Sequence, residues 1–80
     1  GEINSQVADS KAIMALIKEQ YGSKPGVSTD ELDGLTVDGD TWWFNVRASN
    51  TEPLLRLNVE AKTQKQMAAL RDEVLAVIRG

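Results

Sequence analysis

The chain has 80 residues, 41% hydrophobic and 26% charged, the size and balance of one small globular domain with a modest core. It contains neither Cys nor His, which excludes a disulfide framework, a thiolate metal site and the commonest general base. Nine basic residues scattered among twelve acidic ones give a net charge of −3, a balance that argues against nucleic acid or an anionic membrane as partner.

The apolar runs fall short of the roughly 20 residues a membrane helix needs. No signal-peptide pattern is present, and Gly1 reads as an excision boundary. Residues 2–7 carry few structural signals and read as a linker or a short strand, so 1–7 is set apart as a linker within a single domain of residues 1–80. Residues 7–21 predict a helix. Met14, Ile17 and Tyr21 recur at i, i+3 and i+7, and Val7, Ile13 and Leu16 widen the apolar face. Asp9 or Ser5 can cap its start, and Gly22 is placed to end it. Ser23 to Gly26, with Pro25, is a loop.

Asp33-Gly34 and Asp38-Gly39 are turn signals. Leu35-Thr36-Val37 between them predicts a short strand, and residues 27–32 offer another. Residues 41–46 form a hairpin with the strand before Asp38-Gly39. Alternation puts Trp42, Phe44 and Val46 on one face and Trp43, Asn45 and Arg47 on the other. One indole is expected in the core and the other under the second helix. Residues 54–61 alternate more strictly: Leu55, Leu57, Val59 and Ala61 oppose Leu54, Arg56, Asn58 and Glu60. Thr63 to Gln66 fits a capping box that opens a helix running to about Arg79, with Met67, Leu70, Val74, Leu75 and Ile78 as its apolar stripe. The fold class is therefore α+β: an antiparallel sheet of three to four strands with two helices packed on one face. The acids Asp30, Glu31, Asp33, Asp38 and Asp40 lack the spacing of a calcium-binding loop and read as solvated turn residues. No metal ligand set is assigned.

Between the last two strands stands Arg47-Ala48-Ser49-Asn50-Thr51-Glu52-Pro53. It puts one guanidinium, two hydroxyls and one carboxamide within five positions, donors that suit a small oxyanion such as phosphate. A guanidinium at a strand end can meet two phosphate oxygens at once. Ser49 and Thr51 bring rotatable hydroxyls. Asn50 brings an amide and tolerates a positive φ, and successive backbone N–H groups can form an anion nest. Arg47, Ser49, Asn50 and Thr51 are the candidate phosphate contacts. Glu52 is expected to turn away, bonding loop amides or steadying Arg47. The same residue types also make ordinary hairpin turns. In that reading Arg47 pairs with Glu52 or Glu60, and Arg56 is a solvated face residue.

Phe44-Asn45-Val46-Arg47-Ala48-Ser49-Asn50-Thr51-Glu52-Pro53-Leu54-Leu55-Arg56-Leu57-Asn58-Val59-Glu60-Ala61 resembles the C-terminal signature of the α-D-phosphohexomutases, most closely their bacterial phosphomannomutase/phosphoglucomutase branch. The two Asp-Gly turns and the last helix also fall where that family has them, so the resemblance covers essentially the whole chain. Ala48 and Asn50 look more like the mannose/glucose branch than the phosphoglucosamine branch.

The resemblance implies the fourth and last domain of a longer enzyme, with TATA-binding-protein-like topology. That enzyme interconverts hexose 1-phosphate and hexose 6-phosphate through a bisphosphorylated sugar. In it Arg47, Ser49, Asn50 and Thr51 would hold the phosphate that is not transferred. The transferring phosphoserine, its Mg2+ and the sugar-specificity loop would lie in earlier domains. The implied partners are mannose or glucose 1- or 6-phosphate and the other domains of the same chain, with a hexose bisphosphate as activator. The expected location is the cytoplasm. Residues 2–7 would lie near a hinge, and no catalytic residue is expected within these 80. The competing reading is a non-catalytic α+β module that binds an acidic peptide or nucleic acid.

Overall fold

Alternating apolar side chains put one face of every main strand into a common core. The computed structural model describes residues 2–80; Gly1, read above as a boundary, lies outside them. The order is β1 (Glu2–Gln6), α1 (Ser10–Gly22), β2 (Ser28–Asp30), β3 (Leu35–Asp38), β4 (Trp42–Ala48), β5 (Leu54–Ala61) and α2 (Gln64–Arg79). The strands form one sheet in the order β1-β5-β4-β3-β2, and every neighbouring pair is antiparallel. Both helices cover the same face, α1 over β2 and β3, α2 over β5 and β1. The α+β expectation holds, with five strands where three or four were expected.

The additional strand is β1. Its residues have little apolar pattern because only Ile3 and Ser5 face the helices, opposite Leu57 and Leu55 of β5. Backbone pairing onto the free edge of β5 orders it, satisfying main-chain groups that the edge would otherwise leave to water. Ser5 is buried, and its hydroxyl accepts a hydrogen bond from Arg79 Nε at 3.2 Å, which ties the two ends of the described chain together.

Helix α1 begins three residues later than expected. Asp9 caps it in extended conformation, φ −141°, and its carboxylate accepts from Ala12 N at 3.1 Å. Val7 lies outside the helix yet is buried, and its N–H donates to Pro53 O at 2.8 Å. Leu16 is 43% exposed, so the apolar stripe is narrower than predicted: Ile13, Met14, Ile17 and Tyr21. At α2 the Thr63 cap is present, with Gln66 N donating to Thr63 Oγ1 at 3.1 Å. The Gln66 side chain does not return to the cap. Its Nε2 donates to Thr41 Oγ1 at 3.0 Å and fixes the helix start to the turn before β4.

Phe44, Ile17, Leu35, Leu55, Leu57, Val37, Val46 and Val74 are fully buried between sheet and helices. Tyr21 meets Phe44 edge-on at 5.1 Å between centroids, and Trp42 stacks on Phe44 at 6.1 Å. Trp43 is not under α2 as expected. Alternation sends it to the open face, where it is 36% exposed. Asp38-Gly39 does make the β3–β4 turn, but not through a left-handed φ. The Trp42 indole lies against Gly39, and a Cβ there would sit 2.3 Å from the ring.

The Tyr21 hydroxyl donates to Glu73 Oε1 at 2.6 Å and links the two helices. Burial first, then the hydrogen bond and charge of Glu73, push the phenol well above its ordinary value of 10.0. The folded chain therefore holds this proton more tightly than the unfolded chain. The resulting stability is complete below the unfolded value and is lost as pH rises through the folded one. Thermal melts from about pH 8 to about pH 11 are predicted to show an extra fall in Tm above pH 10.0 that Tyr21→Phe removes. Near neutrality the same substitution is predicted to cost about 1 kcal/mol. A difference between the two proteins that stays constant across the range contradicts this account.

Candidate functional site

The site is assembled by the pairing of β4 with β5. Ala48 faces Leu55 and Arg47 faces Arg56 across the ladder, and the segment between them closes the hairpin. Ser49 N donates to Leu54 O at 3.0 Å, and Leu54 N donates to Glu52 O at 2.8 Å. The Ser49 hydroxyl accepts from two successive backbone donors, Thr51 N at 3.4 Å and Glu52 N at 3.3 Å. These N–H groups thus converge on one oxygen, as in a nest, and at those lengths they are weakly held. Asn50 does not use the left-handed conformation foreseen for it; no non-glycine residue described has a positive φ.

All four predicted contacts, Arg47, Ser49, Asn50 and Thr51, line one shallow depression of about 670 Å³. Glu52 stays out of that lining and serves through its backbone. Arg47 pairs with neither Glu52 nor Glu60. Its Nη1 lies 3.4 Å from Asp33 Oδ2 and 3.5 Å from Oδ1, a carboxylate brought over by the β2–β3 turn. Gly34 makes that approach possible. It has φ +71°, and a Cβ on it would lie 2.6 Å from Val46 O and 3.0 Å from Arg47 Cγ. Asn45 holds the same turn, donating from Nδ2 to Asp33 O at 2.9 Å and to Thr36 Oγ1 at 3.0 Å.

Arg56 lines the same depression, where the sequence favoured a solvated face residue over a second phosphate contact. It stands directly opposite Arg47 and is half-buried, and its Nε is buried without a hydrogen-bond partner. Like charges opposed on adjacent strands are destabilising unless something lies between them to answer both. An unpaired buried donor has the same implication. The signal was present in the sequence as strand parity. Arg47 and Arg56 both alternate away from the apolar face, and a hairpin joining those strands sends them to the same side. A second depression of about 480 Å³ continues along the open face past Trp43, Asn45 and Asn58, sharing Asp33 and Arg47 with the first. Two guanidiniums against one carboxylate make a local basic site in an acidic domain, with rotatable hydroxyls at its rim. This arrangement can hold an oxyanion. It contains no nucleophile paired with a base.

Residues 2–77 match the family model described as phosphoglucomutase/phosphomannomutase, C-terminal domain. The chain is 46% identical over 78 residues to a phosphomannomutase of Methanocaldococcus jannaschii, covering 98% of this chain and 17% of that protein. It is 43% identical over 81 residues to a protein named phosphohexose mutases from Xanthomonas campestris, covering 100% and 18%. It is 38% identical over 80 residues to a phosphomannomutase of Escherichia coli, covering 99% and 17%. The chain thus spans less than a fifth of the length of these relatives.

Because the β2–β3 turn packs against the Arg47 backbone, Gly34→Ala is predicted to force that turn off the site. Positive φ on a residue with a Cβ, together with the clash at Val46 O, should cost about 1–3 kcal/mol in urea unfolding. Unchanged stability in that variant would show that the turn is not seated as described.

Proposed function

This chain belongs to the phosphoglucomutase/phosphomannomutase family as its C-terminal domain, and on that premise we propose that residues 47–51 grip the phosphate of a hexose phosphate that is not being transferred. One observation carries the reading: Arg47, Ser49, Asn50 and Thr51 line a single depression with Arg56, whose buried Nε has no partner. The donor set is that of a phosphate site: guanidiniums for bidentate contact, hydroxyls for the remaining oxygens, backbone N–H groups beneath. The guanidiniums stand on paired strands, which fixes their backbones. The hydroxyls stand on the loop and can turn to the ligand.

The longer enzyme, in this reading, interconverts mannose or glucose 1- and 6-phosphates through a bisphosphate that turns around between two phosphoryl transfers. Donors that address phosphate and not the ring accept either end of it. Closure of this domain over the sugar phosphate would exclude water from the transferring centre. Because Glu2–Gln6 is a paired strand, β1 would move with the domain. The partners are the hexose phosphate and the other domains of the same chain. Among the described residues no three His, Cys, Asp or Glu side chains gather as a cation site. Mg2+ and the phosphoryl-carrying serine are assigned to the remainder of the longer protein, with a hexose bisphosphate as its activator. No described helix is long and apolar enough to cross a membrane. A cytoplasmic location is part of the same proposal.

Amide NMR titration of the 80-residue chain tests the grip. Mannose 1-phosphate and glucose 6-phosphate should give similar saturable shifts at residues 47–51 and at Arg56, with affinity of about a millimolar or weaker. Unphosphorylated glucose should give none. Arg47→Ala should weaken binding by about tenfold or more. Absence of shifts with either phosphate, or equal shifts with glucose, rejects the phosphate reading. The chain alone is expected to show no mutase turnover, and measurable turnover would place catalytic groups within it.

A further inference from the structure

We propose that Asp33 is a displaceable counter-ion of the phosphate grip, competing with the substrate phosphate for the Arg47 guanidinium and thereby weakening binding and speeding release. The proposal rests on the phosphate reading above and adds a residue to it. Asp33 touches Arg47 at 3.4 and 3.5 Å, well beyond the roughly 2.7–2.9 Å of a strong charge-assisted bond. The two side chains are 46% and 80% exposed. A pair of this kind contributes little in water, so a phosphate that meets the guanidinium with two oxygens displaces the carboxylate.

The displaced carboxylate stays near the site because its backbone is held. The Asp33 carbonyl is held by Asn45 Nδ2 at 2.9 Å, and Gly34 beside it is packed against Val46 O and Arg47. When phosphate binds, only the Asp33 side chain can turn. It lines both depressions, so its negative charge remains close to the bound anion. Arg47 and Arg56 alone would make a retentive cationic pocket. That is a disadvantage for a site whose ligand must leave, turn around and return by its other end, since tighter ground-state binding does not accelerate the chemistry. Asp33 is in this sense a positioning residue acting through Arg47, not a contact to the substrate.

The test is titration of the 80-residue chain with inorganic phosphate, following backbone amides and the Arg47 Nε–H by NMR. Asp33→Asn and Asp33→Ser remove the charge and leave the backbone carbonyl that Asn45 holds. Each is expected to bind phosphate about three- to tenfold more tightly than wild type, as one unit charge a few ångström away requires in an exposed site. Exchange should slow correspondingly. Asp33→Glu is expected to restore wild-type affinity, and Arg47→Ala to abolish the gain in the Asp33→Asn background. Equal or weaker binding by both neutral variants, with wild type still binding, overturns the counter-ion role and leaves the phosphate reading standing. Loss of fold in both also overturns it, by making Asp33 a structural residue. Absence of saturable binding by wild type overturns the phosphate reading and this proposal together.

Discussion

Pairing Phe44 with Val59 and Val46 with Leu57 sets four buried side chains together on one face of β4 and β5. The pleat then leaves no choice about the other parity. Arg47 and Arg56 must emerge opposite one another on the open face. A slip of one residue in this register would carry Phe44 and Val46 out of contact with their apolar partners and bring charged side chains beneath the helices. The hydrophobic core therefore enforces the geometry of the candidate site, although Arg47 and Arg56 stand on the other face of the sheet. The two arginines are set opposite one another on the sheet by the burial of hydrocarbon on its far side.

Division of labour follows from the layers. The aromatic group of Tyr21, Trp42 and Phe44 and the link from Tyr21 to Glu73 lie on the helix side, where they join α1, α2 and the sheet. The open face carries groups a core could not tolerate: opposed arginines, a buried donor without a partner, and a loose ion pair. Such groups reduce stability wherever they stand. Their concentration at one end of one hairpin accords with a binding site, where a ligand completes the electrostatics. The net charge of −3 is no obstacle, because the potential at a site a few ångström across is set by the nearest groups.

Two turns serve the site by close packing. Gly34 lets the β2–β3 turn rest on the Arg47 backbone, and Asn45 secures it by reaching across to the Asp33 carbonyl. The loop after β4 folds on the Ser49 hydroxyl, and its far end is tied to Val7 through Pro53. One side of the depression is thus rigid and the other is held by long, easily exchanged hydrogen bonds. Both properties suit the proposed exchange of a charged group.

Strand parity, the Thr63 cap, the Asp-Gly turns and the four donors between Arg47 and Thr51 were legible in the sequence, because each depends on chemistry a few residues wide. So was the family resemblance, since the signature is continuous along β4, its loop and β5. Strand β1 was legible only as an alternative to a linker, because its order comes from the free edge of β5 and not from its own side chains. Trp43 was misplaced under the second helix although alternation set it with Asn45 and Arg47, on the face that the two helices leave open. Gln66 left its expected capping role because Thr41 came within reach only after folding. Arg47's partner was misjudged for the same reason. Glu52 is near in sequence, but Glu60 lies 13 residues away and Asp33 lies 14, and it is the β2–β3 turn that brings Asp33 to the guanidinium. The sequence alone determined the elements, the faces and the donors, which are matters of local periodicity and residue chemistry. The tertiary structure decided which charges meet: the register of β4 with β5 sets Arg47 directly opposite Arg56, and the β2–β3 turn reaches Arg47 with Asp33 only once β3 has paired with β4.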